Sequence, residues 1–370
     1  MDIRPLLKLM VDRGASDLFF SVGRPPCIKM KEQLIPVGET ALQPEHTEAA
    51  AMALMSPDRR QEFHRTREAN FAYLAEDIAR FRVSAFYQKD CISVVIRHIE
   101  SRIPTTDELE VPDLLNQLVM LQRGLLLMVG ATGTGKSTTQ AAMIGFRNQN
   151  SASHILTIED PIEYIHENIN SIVNQREVGI DTDSFAVALK NSLRQAPDVI
   201  LIGEIRDRET MQHAITFSET GHLCMGTLHA NNANQALDRI INFFPEDRRD
   251  QLLLDLSLNL RAIVGQQLIP RLDGGSRMVP AVEILINSPF IADLIRRGEI
   301  HKIKDQMKRA REQGMVTFDQ ALYELYTEER ISYEDALRYA DSANEVRLMI
   351  KLSSDQVESE SDAVSGMSLI

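Results

Sequence analysis

The sequence predicts the α/β class: a small N-terminal α+β domain, then a larger domain on a parallel sheet with helices on both faces, ending in a helical C-terminal part. Three observations carry this. The apolar runs "GLLLMVG", "HILTIED", "DVILIGE" and "HLCMGTLH" recur with helical stretches between them, as strands buried on both faces do. The first run leads directly into "ATGTGKSTT", a glycine-rich turn that opens a helix. The 370-residue length exceeds one typical domain, and the polar stretch "ESRIPTTDELEVP", with two prolines, reads as a linker over 100–112.

The elements follow in chain order. Within the N-terminal domain, 1–99, "EHTEAAAMALM" is helical in composition, and Pro57 marks a break before "DRRQEFHRTRE" resumes the pattern. "ARFRVSAFYQ" then alternates, with Phe81, Val83, Ala85 and Tyr87 on one face and Arg80, Arg82 and Ser84 on the other. "QKD" is a turn, and "CISVVIRHI" returns as the second strand of a hairpin. The large domain occupies 113–352 and turns mainly helical from about Phe290. Residues 353–370 carry Asp355, Glu358, Glu360 and Asp362 without basic partners and are expected to form a disordered acidic tail.

Composition narrows the function. An apolar fraction of 44% builds ordinary cores. A net charge of -13 argues against nucleic acid as a partner, because phosphate neutralisation needs clustered Lys and Arg. The longest apolar runs, Leu125 to Val129 and Val199 to Ile202, are too short to span a bilayer. The N-terminus has no signal-peptide core, and three scattered cysteines (Cys27, Cys91, Cys224) fit reduced thiols, so a cytoplasmic location is expected.

Gly130, Gly135, Lys136 and Ser137 satisfy G-x-x-x-x-G-K-[ST] between a buried strand and a helix. In this arrangement Gly133, Thr134, Gly135, Lys136, Ser137 and Thr138 wrap the phosphates of ATP. Backbone N–H groups point inward, the helix adds its positive end, and Lys136 brings a mobile charge. Ser137 supplies a hydroxyl for Mg2+. Hydrolysis also needs acids at the carboxyl ends of neighbouring strands. "DVILIGEIRD" ends in Gly203 and Glu204; many phosphate-loop enzymes have Asp where Gly203 stands, so Glu204 is left to serve Mg2+ or to orient water. "ILTIEDPIEYIH" clusters Glu159, Asp160 and Glu163, and a carboxylate near the γ-phosphate can activate the attacking water. We assign that role to Glu163.

"GATGTGKSTT", "TIEDPIEYIH", "VILIGEIRD" and "TGHLCMGTLHANNA", in this order, resemble the secretion/type IV pilus ATPase superfamily, in which they are the Walker A loop, Asp box, atypical Walker B strand and His box. The resemblance spans nearly the whole chain, "GASDLFFSVGRPP" matching the N-terminal A-S-D-L-H-L-S segment except at Phe19 and Phe20. It implies a RecA-like P-loop ATPase domain preceded by a PAS-like domain.

The His box holds His222, Cys224 and His229. On a strand, seven steps of about 3.3 Å put the two histidines roughly 23 Å apart, too far for one zinc ion. A buried core role remains open, but His229 ends its strand on the nucleotide side, where an imidazole can donate to the γ-phosphate. The resemblance supports that role. It also implies importance for His222, to which the strand geometry gives no phosphate contact.

In the superfamily, N-terminal arginines neutralise charge on the γ-phosphate, which makes Arg80, Arg82 and Arg97 candidates; alternation puts Arg80 and Arg82 on one face. "HKIKDQMKRAREQG" aligns Lys304, Lys308 and Arg311 as a stripe, read as a solvated face or as contact with an acidic partner. "FIADLIRR" occupies the place of the A-I-R-N-L-I-R-E motif of retraction motors, with Arg297 where that motif has Glu.

Arginine supplied across a head-to-tail interface gives a closed homo-oligomer, and the resemblance implies a hexameric ring. The implied function is a cytoplasmic ATP-driven motor powering pilus retraction at the cytoplasmic face of the inner membrane. Its partners would be the inner-membrane pilus platform protein and a second retraction ATPase, with only peripheral membrane contact. The alternative is a nucleotide-binding accessory ring that assists that second ATPase.

Overall fold

The computed structural model describes residues 2–30, 33–99, 102–274 and 278–353. The acidic tail expected over 353–370 lies, from residue 354 on, outside the described residues. The described chain groups into two compact units, one running to Arg102 together with Glu163–Ile165, the other comprising Ile103–Ile162 and the chain from His166 on.

Among the described residues the first unit holds an antiparallel sheet of order β3-β2-β1-β6-β5-β4. Its strands are β1 (Asp17–Phe20), β2 (Cys27–Met30), β3 (Gln33–Pro36), β4 (Glu68–Ala75), β5 (Ala79–Gln88) and β6 (Cys91–Ile99). Its helices are α1 (Arg4–Asp12), α2 (Pro44–Leu54) and α3 (Pro57–Thr66). The hairpin read from alternation is β5–β6. Lys89 and Asp90 both adopt positive φ, the conformation of a two-residue turn whose twist matches its strands. Phe81, Val83 and Ala85 are buried in the core with Phe20, Phe63 and Phe71, while Arg80 and Arg82 lie on the opposite face. Pro57 starts α3 at its first position behind the N-cap Ser56, whose hydroxyl accepts from Arg59 N–H.

The second unit is built on a sheet of order β13-β12-β7-β11-β10-β8-β9. Its strands are β7 (Gly124–Val129), β8 (His154–Glu159), β9 (Ile172–Glu177), β10 (Val199–Ile202), β11 (Leu223–Leu228), β12 (Leu260–Pro270) and β13 (Met278–Ile286). All pairings are parallel except β12–β13. The four apolar runs of the sequence are β7, β8, β10 and β11, and every residue of β7, β10 and β11 is buried. The structure adds β9 and the β12–β13 pair, which periodicity alone does not separate from helix.

Around the sheet lie α4 (Leu114–Val119), α5 (Lys136–Asn150), α6 (Phe185–Ser192), α7 (Arg208–Glu219), α8 (Ala233–Phe243), α9 (Glu246–Asn259) and α10 (Pro289–Arg296). The C-terminal part continues with α11 (Ile303–Arg309), α12 (Phe318–Thr327) and α13 (Tyr333–Arg338). Capping chemistry fixes several of the starts: Asp207 before α7, Asn232 before α8 and Thr317 before α12 each accept a backbone N–H from the first turn. Among the described residues no helix is long and apolar enough to cross a membrane.

Candidate nucleotide site

The phosphate loop leaves the carboxyl end of β7, where ligands sit in open α/β sheets. Gly130, Gly133 and Gly135 have φ of 151°, 79° and 83°, values that only glycine adopts without strain. Lys136 begins α5 and is buried, its Nζ donating to the carbonyl oxygens of Gly130 at 2.8 Å and Ala131 at 2.7 Å. The ammonium thus folds back across the mouth of its own loop. Ser137 and Thr138 follow half-buried in the first turn of α5, and the added Cβ of a side chain at Gly133 would meet nothing within 4 Å.

One contributor carries no local signal in the sequence. Gln266, buried in β12, presses on the back of the loop: its Oε1 accepts from Thr139 Oγ1 at 2.8 Å. A Cβ on Gly135 would stand 2.8 Å from Gln266 Nε2, and one on Gly130 would stand 2.6 Å from the Gln266 carbonyl oxygen. Gly130 is therefore required by this backbone neighbour as well as by its conformation, whereas at Gly135 the opposing atom is the end of a side chain. No local signal in "AIVGQQLIP" distinguishes the residue; only the β7–β12 pairing brings it to the loop.

Next in the sheet comes β11. Leu228 stands opposite Val129, so His229 leaves the sheet level with Gly130, the first residue of the phosphate loop. Its Nε2 lies 3.2 Å from Glu204 Oε1. The other Glu204 oxygen takes Arg206 Nη2 at 2.7 Å. That hydrogen bond, countered in part by desolvation and helped by the charges of Glu204 and Asp160, raises the Arg206 pKa above its ordinary value.

At Gly203, where many phosphate-loop enzymes have Asp, the backbone of β8 lies close. A Cβ on Gly203 would stand 3.1 Å from both the Glu159 Cα and the Ile158 carbonyl oxygen of β8. Thr227 Oγ1 donates to the Gly203 carbonyl, which locks β10 to β11 at this level. Glu159 accepts from Thr157 Oγ1 at 2.6 Å and Gln175 Nε2 at 3.2 Å, so its carboxylate is tied within the sheet edge.

His222 lies at the opposite end of β11, its Nδ1 3.1 Å from Thr220 Oγ1 and 3.2 Å from the Phe217 carbonyl, where it closes the turn after α7. Cys224 is fully buried, and burial pushes its thiol pKa up. Glu163 is exposed and groups with the first unit. In that unit Arg82 stands directly opposite Arg97 across β5–β6, and Asp17 of β1 stands opposite Arg97 on its other side. The Arg97 Nε bonds Asp17 Oδ1 at 2.8 Å, with Asp17 buried. Paired like charges are unfavourable on a sheet face unless compensated, and Asp17 compensates one of the two.

The basic stripe of the C-terminal part is paired with carboxylates of the fold, with Arg311 at its end still 57% exposed. Lys304 pairs with Asp319 at 3.1 Å and Asp341 at 2.8 Å, Lys308 with Glu345 at 2.6 Å, and Arg311 with Glu324. Tertiary carboxylates invisible to a helical-wheel reading consume it. At the end of α10, Arg296 and the divergent Arg297 that caps it both pair with Asp293 at 2.7 Å.

The family model described as "Type II/IV secretion system protein" matches residues 3–354. The chain is 59% identical over 367 residues to the type IV pilus ATPase PilU of Pseudomonas aeruginosa, covering 99% of this chain and 95% of that one. It is 39% identical over 336 residues to the type IV pilus retraction ATPase PilT of the same organism, covering 91% and 97%. The crystal structure of the pilus retraction motor PilT with bound ADP superposes with a TM-score of 0.88 at 37% identity, covering 94% of this chain and 99% of that one.

Proposed function

The chain belongs to the type II/IV secretion system protein family, and from that premise we propose that it is an ATP-hydrolysing motor of type IV pilus retraction. The observation that carries this is the row of groups along one edge of a RecA-like sheet: the phosphate loop after β7, His229 after β11 and Glu204 after β10. ATP fits the loop, whose positive-φ glycines, helix start and buried Lys136 suit an anion. Gly133, Thr134, Gly135, Lys136, Ser137 and Thr138 would hold it, with Lys136 exchanging its two carbonyl partners for phosphate oxygens. Mg2+ would be held by the Ser137 hydroxyl, with Glu204 behind it. The bound nucleotide supplies the phosphoanhydride bond whose cleavage drives the motor.

His229 is the reader of the γ-phosphate in this proposal. Its Nε2–H has one acceptor at a time, so a γ-phosphate oxygen and Glu204 compete for it. Binding of ATP then frees Glu204 from the imidazole, whereas ADP leaves the pair intact. Glu163 positions the attacking water. Arg82 and Arg97 stabilise the transition-state charge from a neighbouring subunit, which makes a hexameric ring the working assembly. Its working parts are the N-terminal domain 1–99, the linker 100–112, the motor domain 113–352 and the tail 353–370. The ring works at the cytoplasmic face of the inner membrane, against the pilus platform protein.

A second reading, an accessory ring that binds nucleotide and assists another retraction ATPase, draws on Gly203 and on Arg297, which Asp293 holds in place. Steady-state ATPase measurement on the purified chain decides between them. Turnover that depends on Lys136 and Glu204 supports the motor, and nucleotide binding without turnover supports the accessory ring.

A further inference from the structure

Behind the His229 segment lies a buried polar cluster that the nucleotide chemistry leaves unused. Glu283, in the middle of β13, is 2% exposed. Its Oε1 accepts from the Ala233 N–H at 2.7 Å and its Oε2 from the Phe318 N–H at 3.4 Å. Ala233 is the first residue of α8 and Phe318 the first of α12. One carboxylate therefore closes two helix N-termini, each offering unpaired amides and the positive end of its dipole.

The surroundings reinforce the same joint. Lys304 of α11 bridges Asp319 of α12 and Asp341. Asn232, the N-cap of α8, donates its Nδ2 to Asp341 at 3.1 Å. Asp319 Oδ1 accepts from the Ser342 N–H at 3.0 Å. Burial pushes the Glu283 carboxyl up to about 7, with the Asp341 charge adding and the two amides and Lys304 opposing. Only Ala230, Asn231 and Asn232 separate His229 from Ala233. Fixing Ala233 restricts where the imidazole can lie.

We propose that Glu283 is a positioning residue for His229: its carboxylate ties the start of α8 to the start of α12, so that the γ-phosphate state read at His229 and the placement of the C-terminal helices form one coupled setting. This rests on the reading of His229 given above. The task needs two acceptor oxygens. Glutamine offers one acceptor and one donor, so it leaves one of the two helix starts unpaired.

The test measures the affinity of the full chain for ADP and for a non-hydrolysable ATP analogue, in wild type, Glu283→Gln, His229→Ala and the double variant. Glu283→Gln is expected to reduce the preference for the ATP analogue by about fivefold or more, within the usual range of coupling between sites. In the His229→Ala background it should reduce it no further, because the positioned group is gone. A wild-type preference in Glu283→Gln with only a changed melting temperature, or losses that simply add, overturns the proposal. Full preference retained in His229→Ala overturns the reading of His229 itself, together with the inference built on it; a failure confined to Glu283 leaves that reading standing. Glu283→Asp keeps the charge but shortens the reach by one methylene, so it cannot meet both amides. It gives the same readout if the glutamine variant fails to fold.

Discussion

Glu283→Gln should change the way stability depends on pH, and the size of the change follows from the burial of that carboxyl. Burial raises it from an ordinary 4.5 to about 7. The folded chain therefore holds this proton more tightly than the unfolded chain. The resulting stabilisation is fully present below the unfolded value and is lost as pH rises through about 7. At about 1.4 kcal/mol per unit, the whole loss is roughly 3 kcal/mol, of which about 2 kcal/mol falls between about pH 5.5 and about pH 8.5. Glutamine cannot ionise and escapes this loss. The assay is the difference in melting temperature between wild type and variant as pH is varied, since titrations common to both cancel in the difference. Glutamine carries a fixed offset from the lost acceptor, and relative to that offset the variant should gain about 3–4 °C over wild type across the range. A difference that stays constant with pH would refute the reasoning and show that Glu283 is ionised, or neutral, in both states alike.

Lys136→Ala should keep the fold and lower ATP affinity at least tenfold by calorimetry, about 1.4 kcal/mol, because its Nζ contacts are to loop carbonyls that water can replace. Glu163→Gln should bind ATP normally and turn over about 10²–10⁴-fold more slowly in a steady-state assay, the usual scale of general-base help; normal turnover would return Glu163 to an exposed acidic turn. Gln266→Leu, which keeps bulk but drops the acceptor for Thr139, should weaken ATP and ADP together by roughly 1 kcal/mol, since the loop serves phosphates common to both. A selective loss of ATP in that variant would contradict a role behind the loop.

How much of this was legible depends on the distance in sequence over which each feature is encoded. The phosphate loop, the β5–β6 hairpin with its inward Phe81 and Val83, and the four buried strands are local patterns. Steric rules for glycine, two-residue alternation and continuous apolar runs fix them within about ten residues. Local pattern does not separate β12 and β13 from their surroundings, because short apolar runs fit helix and strand alike. The Lys304–Lys308–Arg311 stripe looked solvated because its partners Asp319, Asp341, Glu345 and Glu324 lie 13 to 37 residues away.

The sequence by itself determined the α/β class, the nucleotide loop and the acids and histidine that could serve it, because each depends on residue type and short spacing. The tertiary structure alone decided that His229 meets Glu204, that Gln266 backs Gly130 and Gly135, and that Glu283 joins the starts of α8 and α12. Those contacts come from strand order and register. Here β12 falls beside β7, and β11 between β7 and β10. Such pairings are chosen by the burial of whole faces and not by any residue's neighbours in the chain.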